Sequence, residues 1–347
     1  MPYLRNTWYM AAWNHEIASC QLLARTLLAE ALMFFRDTQG AVHALQDRCP
    51  HRFAPLSMGK HKGDCVQCPY HGLQFDSSGA CVHNPHGDGR IPKAARVRSY
   101  PVVERHSAVW IWMGDAERAD PAAIPDFSCM DPEHHFVAKR YLHARAHYML
   151  ENDNILDLSH IEFLHPSTLG SSAVRSADFR LEQCGDMLWA CRQTRAEIMS
   201  DFLYEVMRLP KGEPVDRWFD VRWTAPCNLL LVAGATPAGK SRGEGTGNTC
   251  LPHLFTPETE SSTHYWYANT LPHSVGPEGA QTVEHMAEGG RQPFVEEDIP
   301  MLEAQQRAMD GRDFWDMKPI LLAGDAAAIR ARRILEKLIR AENEPAG

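Results

Sequence analysis

Cys49-Pro50-His51 and Cys68-Pro69-Tyr70-His71 each set one thiol and one imidazole on a tight, proline-containing loop, with sixteen residues between the two. Two thiolates on one iron and two imidazoles on the other make a mixed-ligand [2Fe–2S] centre. Exchanging two thiolates for neutral imidazoles lifts the reduction potential to about −150 to +300 mV, against about −400 mV for an all-cysteine cluster. The spacing C-x-H … C-x-x-H thus encodes a one-electron carrier of moderate potential. The competing assignment is a structural zinc site using Cys65, Cys68, Cys49 and a histidine. It ignores the pairing of one cysteine with one histidine in each loop, and Cys65 lies outside that pairing. Cys65, Cys81, His83 and His86 are then neighbours of the cluster rather than ligands. Gly72, directly after His71, suits a backbone that must pass close to the cluster sulfurs.

A second constellation lies in residues 151–165. His160 and His165 offer two imidazoles to one metal, and a later carboxylate would complete a 2-His-1-carboxylate set, which leaves open positions for oxygen beside a substrate. On an ideal helix a five-residue offset separates two side chains by about 140°. Pro166 relieves this, because it biases His165 away from the helical region and lets the chain turn inward. An isolated histidine pair reads as two surface residues, but an electron carrier upstream needs an acceptor. Asp157, three residues before His160, is placed to orient a metal-bound imidazole with its carboxylate. Asn154, a further turn back, is a second supporting residue.

Residues 49–59 (CPHRFAPLSMG), residues 68–85 (CPYHGLQFDSSGACVHNP) and the N-x-x-D-x-x-H-x-x-x-x-H pattern from Asn154 to His165 resemble the Rieske non-heme iron aromatic oxygenases. The nearest resemblance is to the oxygenase components of the branch that includes vanillate O-demethylase, toluenesulfonate methyl-monooxygenase and dicamba demethylase, and it runs through most of the chain. It implies Asp298 as the third iron ligand, with Glu296 and Glu297 adjacent and open to confusion with it. It also implies a head-to-tail homotrimer in which Asp157 bridges to His71 of a neighbouring subunit. His253 falls where one demethylase branch contacts substrate, although a buried structural histidine fits the sequence equally well. The implied reaction is O-demethylation or methyl hydroxylation of an acidic aromatic, using O2 and electrons from a separate flavin/iron–sulfur reductase that oxidises NAD(P)H. Ring hydroxylation or cis-dihydroxylation by the same metal centre is the alternative.

The elements that must carry these residues differ along the chain. From about residue 28 to 113 short strands alternate with turns: Ala31–Arg36 and Ala41–Leu45 flank a turn at 37–40, Gly72–Asp76 and Ala80–His83 flank a turn at 77–79, and Val109–Met113 closes the series. No helical period interrupts them, so residues 1–115 form an all-β Rieske domain. The Asp-, Ala- and Pro-rich stretch 114–127 leads into a catalytic domain, residues 116–347. There a strand over Arg140–His147 is followed by a helix over Tyr148–Leu164, strands over 187–195, 216–225, 228–234 and 263–270, and helices over Glu284–Ala308 and Ala326–Glu342. This is an α+β pattern, an antiparallel sheet wrapped on a helix.

Composition narrows the remaining options. With 347 residues, 44% of them hydrophobic and 23% charged, the chain can bury two cores, and its net charge of −9 disfavours nucleic acid or an anionic membrane as partner. No stretch is long and apolar enough to span a bilayer, and no secretory leader is apparent, so a cytoplasmic location is expected. Six of the ten cysteines (Cys20, Cys129, Cys184, Cys191, Cys227, Cys250) read as buried small hydrophobes rather than a disulfide framework. Gly234 to Ser241 matches G-x-x-x-x-G-K-[ST] letter for letter, but the glycine-rich residues after it cannot start the helix that a phosphate-binding loop requires. The stretch 234–250 reads instead as a loop between strands. A lone electron-transfer module would need only the first third of the chain, and no flavin or nicotinamide motif is present.

Overall fold

In the computed structural model, which describes residues 3–344, the chain divides into two compact units, each with its own sheets and core. Of the described residues, one comprises 5–124 together with 256–259, and the other comprises 3–4, 125–255 and 260–344.

The first unit is built from three small antiparallel sheets and contains no α-helix. Glu30–Arg36 pairs with Val42–Gln46 across the expected turn, where the Asp37 carboxylate accepts from the amides of Gln39 and Ala41. Gln74–Asp76 and Cys81–His83 repeat this with Asp76, which accepts from Ser78 and Ala80. Such Asx turns set strand register without help from the core. The strand Trp8–Trp13, fully buried and paired with Ala108–Trp112, lies outside the predicted set; its unbroken apolar run has no alternation to read. A core of Met33, Phe35, Leu45, Leu56, Val66 and Phe75 packs directly against Cys49 and Cys68.

The second unit is organised by one seven-stranded antiparallel sheet. Its order is His135–Ala144, Ser262–Pro272, Thr249–Thr259, Asn228–Pro237, Val215–Thr224, Met187–Gln193 and Asp178–Cys184. Two expectations need correction. The predicted helix over Tyr148–Leu164 is broken: an α-helix covers Tyr148–Leu156, Asp157 leaves helical geometry at φ −115° and ψ 84°, a 3₁₀ turn covers Leu158–His160, and a short helix covers Ile161–Leu164. The helix over Glu284–Ala308 is likewise interrupted: α-helices over Gly279–Gly289 and Ile299–Met309 are joined by a π-helix over Gln292–Asp298.

Helix Tyr148–Leu156 is buried on most of its faces, so it has no amphipathic stripe. Its ends are fixed by specific bonds. The His147 ring accepts from the Met149 amide, and Arg192 donates to the Leu156 carbonyl at 3.0 Å. Arg332, on helix Ala326–Asn343, binds Asp153 through both Nε and Nη2. No helix among the described residues is long and apolar enough to cross a membrane. The cysteine expectation also needs correction: Cys20 and Cys184 are exposed, and only Cys129 and Cys227 of the six are buried. All ten are free thiols.

Candidate cluster loops and candidate iron centre

The two Cys/His loops are near copies of one another. The Cys49 amide donates to the Ala54 carbonyl at 2.9 Å, and the Cys49 carbonyl accepts from the Phe53 amide at 2.9 Å. In the second loop the Cys68 amide donates to Leu73 at 2.8 Å and the Cys68 carbonyl accepts from Gly72 at 3.2 Å. The fifth residue of each loop, Phe53 or Gly72, takes a left-handed conformation, at φ +61° and +75°. A Cβ added at Gly72 would stand 3.1 Å from Pro85 Cγ, whereas Phe53 accommodates its side chain by projecting it into solvent, 69% exposed.

These loops put both thiols inside and both imidazoles toward the surface. Cys49 and Cys68 are buried, and the His51 and His71 rings lie edge to face at 4.4 Å. Burial, reinforced by the neighbouring Cys68 thiol, pushes the Cys49 thiol up to about 11. A buried thiol held up in this way stays protonated unless a cation compensates it, which is the chemistry of a metal–thiolate site. The donor set therefore fits a mixed cluster with two inner sulfurs and two outer nitrogens. His86 supports the second loop through a 2.8 Å bond between its Nε2 and the His71 carbonyl, and Cys81 Sγ contacts the His83 carbonyl.

In the second unit, ligand atoms of His160, His165 and Asp298 lie within 4.8 Å of one another. Asp298 Oδ1 is 3.1 Å from His165 Nε2 and 3.6 Å from His160 Nε2. The far nitrogens are both held. His160 Nδ1 meets the Asp157 backbone carbonyl at 2.7 Å, and His165 Nδ1 meets Glu297 Oε2 at 2.5 Å. A carbonyl can only accept, so His160 carries its proton on Nδ1 and turns a lone pair at Nε2 toward Asp298. The carboxylate of Glu297 orders His165 in the same way. Burial lowers the pKa of His160. Burial also opposes protonation of His165, yet its bonds to Asp298 and Glu297 outweigh this and raise its pKa. Three donors, two of them buried and His160 half-buried, with their lone pairs converging suit a divalent metal with open positions.

Breaking the helix at Asp157 is what makes this geometry possible. The 3₁₀ turn and the non-helical His165, at φ −120° and ψ 46°, bring together two rings that a continuous helix would splay apart. Asn154 donates from Nδ2 to Asp298 Oδ1 at 2.9 Å. Asp157 differs from expectation. Its backbone carbonyl, not its carboxylate, contacts His160, because the residue is a cap between two helices rather than part of one. The carboxylate instead accepts from the Ser159 amide and pairs with Arg192 at 3.0 Å.

His160, His165 and Asp298 open onto a cavity of roughly 130 Å³ whose walls are mainly apolar: Leu158, Phe202, Leu231, Leu251, Met286 and Phe294. That size suits a single aromatic ring. His253 lines the cavity, 1% exposed, with Nδ1 bonded to the Tyr265 hydroxyl at 2.7 Å. Burial lowers its pKa to about 4, so the ring is neutral at physiological pH. Arg217 also reaches the lining, but its charge is matched by Glu197 at 2.8 Å, with both side chains buried. Glu297, Arg192 and the Arg217–Glu197 pair are not legible in the sequence, since nothing local distinguishes them from other strand or surface charges. The predicted loop over 234–250 is shorter than expected: Gly234 belongs to the strand Asn228–Pro237, where a Cβ would strike Trp218, the next strand begins at Thr249, and between them Lys240 is followed by a 3₁₀ turn over Arg242–Glu244.

Comparison with known proteins agrees with both sites. The Rieske [2Fe–2S] domain profile matches residues 7–101, and the vanillate O-demethylase oxygenase C-terminal domain profile matches residues 144–341. The chain is 38% identical to the oxygenase component of chloroacetanilide N-alkylformylase from Rhizorhabdus wittichii, over 99% of this chain and 97% of that protein. It is also 38% identical to the oxygenase component of dicamba O-demethylase from Stenotrophomonas maltophilia, over 99% of each. The crystal structure of dicamba monooxygenase bound to 3,6-dichlorosalicylic acid superposes with a TM-score of 0.91 at 36% identity, covering 99% of both chains. With a cluster-type loop pair in one unit and a histidine–carboxylate centre beneath an apolar cavity in the other, the chain belongs to the Rieske non-heme iron oxygenases, as an oxygenase component that carries a [2Fe–2S] cluster and a mononuclear iron.

Proposed function

We propose that this oxygenase removes a methyl group from an aromatic ether, or hydroxylates an aromatic methyl group, with residues 1–115 carrying electrons and residues 116–347 carrying out the oxidation. The observation that supports it most directly is the convergence of His160, His165 and Asp298 at the floor of an apolar cavity sized for one aromatic ring. When bound, the cluster supplies electrons one at a time and the iron supplies the oxidising chemistry with O2.

The chain's own residues do the rest. Cys49, His51, Cys68 and His71 hold the cluster; His160, His165 and Asp298 hold the iron. Glu297 and the Asp157 carbonyl fix the two imidazole tautomers, and Asn154 holds the Asp298 carboxylate in place. The apolar walls exclude water from the reacting carbon. His253 presents a neutral ring to the substrate. Once a methoxy carbon is hydroxylated, the hemiacetal collapses to a phenol and formaldehyde with no further protein chemistry.

Electrons arrive from a separate NAD(P)H-dependent flavin/iron–sulfur reductase. We assign a homotrimer in which Asp157 of one subunit meets the cluster histidine His71 of its neighbour. Exposed apolar residues favour this: Phe53 and Tyr70 surround the cluster imidazoles, while Ile320 and Leu322 lie close to Gly324, which abuts the Asp157 carboxylate. Large exposed apolar groups at two such places fit buried positions in an assembly. A cytoplasmic location agrees with ten unpaired thiols and with a nicotinamide electron source.

The test is EPR of anaerobically purified, dithionite-reduced protein with iron and acid-labile sulfide counted on the same sample. The expected result is a rhombic signal of low average g, with about three irons and two sulfides per chain. Zinc in place of iron after reducing reconstitution would end the oxygenase reading. Formaldehyde release from methoxybenzoates and methoxybenzamides, with a reductase supplied, then separates demethylation from ring hydroxylation.

A further inference from the structure

Among the described residues, three buried polar atoms of the cavity lining have no hydrogen-bond partner: His253 Nε2, Asn269 Nδ2 and Arg217 Nη2; the last is ion-paired with Glu197 at 2.8 Å, and the first two have no partner of any kind. His253 and Asn269 are nearly sealed from solvent. Buried polar atoms are almost always bonded, so a pair of orphans in one apolar chamber calls for a physical reason.

The sheet places the two together. Along Ser262–Pro272 the two-residue period puts Tyr265, Tyr267 and Asn269 on one face, and Tyr265 is the residue that bonds His253. The bond bears on what His253 offers. A Tyr hydroxyl can donate or accept, but the buried Tyr265 hydroxyl meets no other acceptor among the described residues, so the arrangement that uses its hydrogen has Nδ1 of His253 accept and keeps the proton of the neutral ring on Nε2. Both orphans are thus donors, N–H at His253 and NH₂ at Asn269. Of the other polar groups of the lining, Arg217 is ion-paired with Glu197 and donates to the Leu169 carbonyl, and Asn154 donates to Asp298.

We propose that Asn269 is a second substrate-anchoring residue, which acts with His253 to grip an oxygen acceptor on the aromatic ring. A carboxylate, a carboxamide or a nitro group has that chemistry. The apolar walls hold the rest of the ring, with the carbon to be oxidised turned toward His160 and His165. Substrates that lack such an acceptor leave two donors unsatisfied, and a site built to hydrogen-bond a substrate group discriminates strongly against analogues without it. The inference rests on the aromatic substrate proposed above.

The experiment uses the holoprotein under anaerobic, non-reducing conditions, so that binding is read without turnover. Calorimetry compares anisole with the methoxybenzoates and methoxybenzamides, in wild type and in Asn269→Leu. Wild type binds at least one acceptor-bearing probe about tenfold or more tighter than anisole, and Asn269→Leu removes most of that preference while leaving anisole unaffected. The benzoate and benzamide arms distinguish an anionic from a neutral acceptor. Thermal unfolding supplies the second readout: replacing an unpaired buried donor with an apolar side chain of similar size raises the midpoint, whereas a structural role for the amide predicts a fall. Wild type that binds all probes equally, or binds none of them, overturns the proposal. So does an unchanged preference in the variant, or a lowered midpoint. Failure of the oxygenase reading would be seen separately, as missing cluster or iron in the same samples before any probe is added.

Discussion

His165 is held at both ring nitrogens by carboxylates, and the two carboxylates have different tasks. Asp298 shares the converging lone pairs, whereas Glu297 orders the ring from behind. Glu297→Gln keeps the size but weakens that grip, so iron affinity should fall roughly 10–100-fold while the cluster spectrum is unchanged. Iron titration followed by EPR measures both on one sample. His160→Ala should go further and empty the mononuclear site with the visible cluster absorbance retained; full iron occupancy would exclude His160 as a ligand. Asp157→Asn is a subtler change. It preserves the backbone carbonyl that His160 uses, so both metals should stay bound while substrate oxidation slows markedly. Undiminished single-turnover rates would take Asp157 off the electron route.

At the scale of elements, the stability of the catalytic unit depends on how one buried helix is tied down. Arg332 reaches from helix Ala326–Asn343 to Asp153, and its own side chain is only 4% exposed. Removing one partner of such a pair strands the other charge, at a cost of about 3–5 kcal/mol. Arg332→Leu should therefore lower the unfolding midpoint by roughly 10 °C in calorimetry. Elements are also where the sequence is least legible. Turns at 37–40 and 77–79 are plain, because Asp and Gly at fixed offsets act locally. Most strands of the large sheet can be placed to within a few residues from apolar runs. Tyr148–Leu164 and Glu284–Ala308 look like continuous helices because their breaks, at Asp157 and at Gln292–Asp298, are imposed by tertiary bonds rather than by local breakers. The ligand types at Cys49, His51, Cys68, His71, His160 and His165 can be read from spacing. Their supporting partners, Glu297 and Arg192, come from distant segments and cannot.

The whole molecule carries a buried acid that the proposed chemistry does not use. Glu151 is 3% exposed, its Oε1 has no partner, and burial first, with Asp298 second, raises its pKa to about 8. An acid with a folded pKa above its unfolded value binds its proton more tightly when folded. Its contribution to stability is therefore fully present below pH 4.5 and is lost as pH rises from there toward 8. Glu151→Gln should flatten this loss. Its midpoint should exceed wild type by more at pH 8 than at pH 5, and equal differences at the two pH values would disprove the effect.

The π-helix over Gln292–Asp298 has a consequence for how such a chain can change over time. A π-turn is an α-helix with one residue too many, and each residue of helix turns the side chain by about 100°. Deleting a single residue there would let the segment relax to ordinary helix and rotate Asp298, together with the helix Ile299–Met309 that continues from it, relative to helix Gly279–Gly289, turning the carboxylate away from His160 and His165. Substitution of Phe294 changes the cavity wall and leaves the ligand positions in register, whereas a one-codon deletion should remove the metal site altogether. Outside Glu297 and Asp298, the segment is therefore freer to vary in letters than in length.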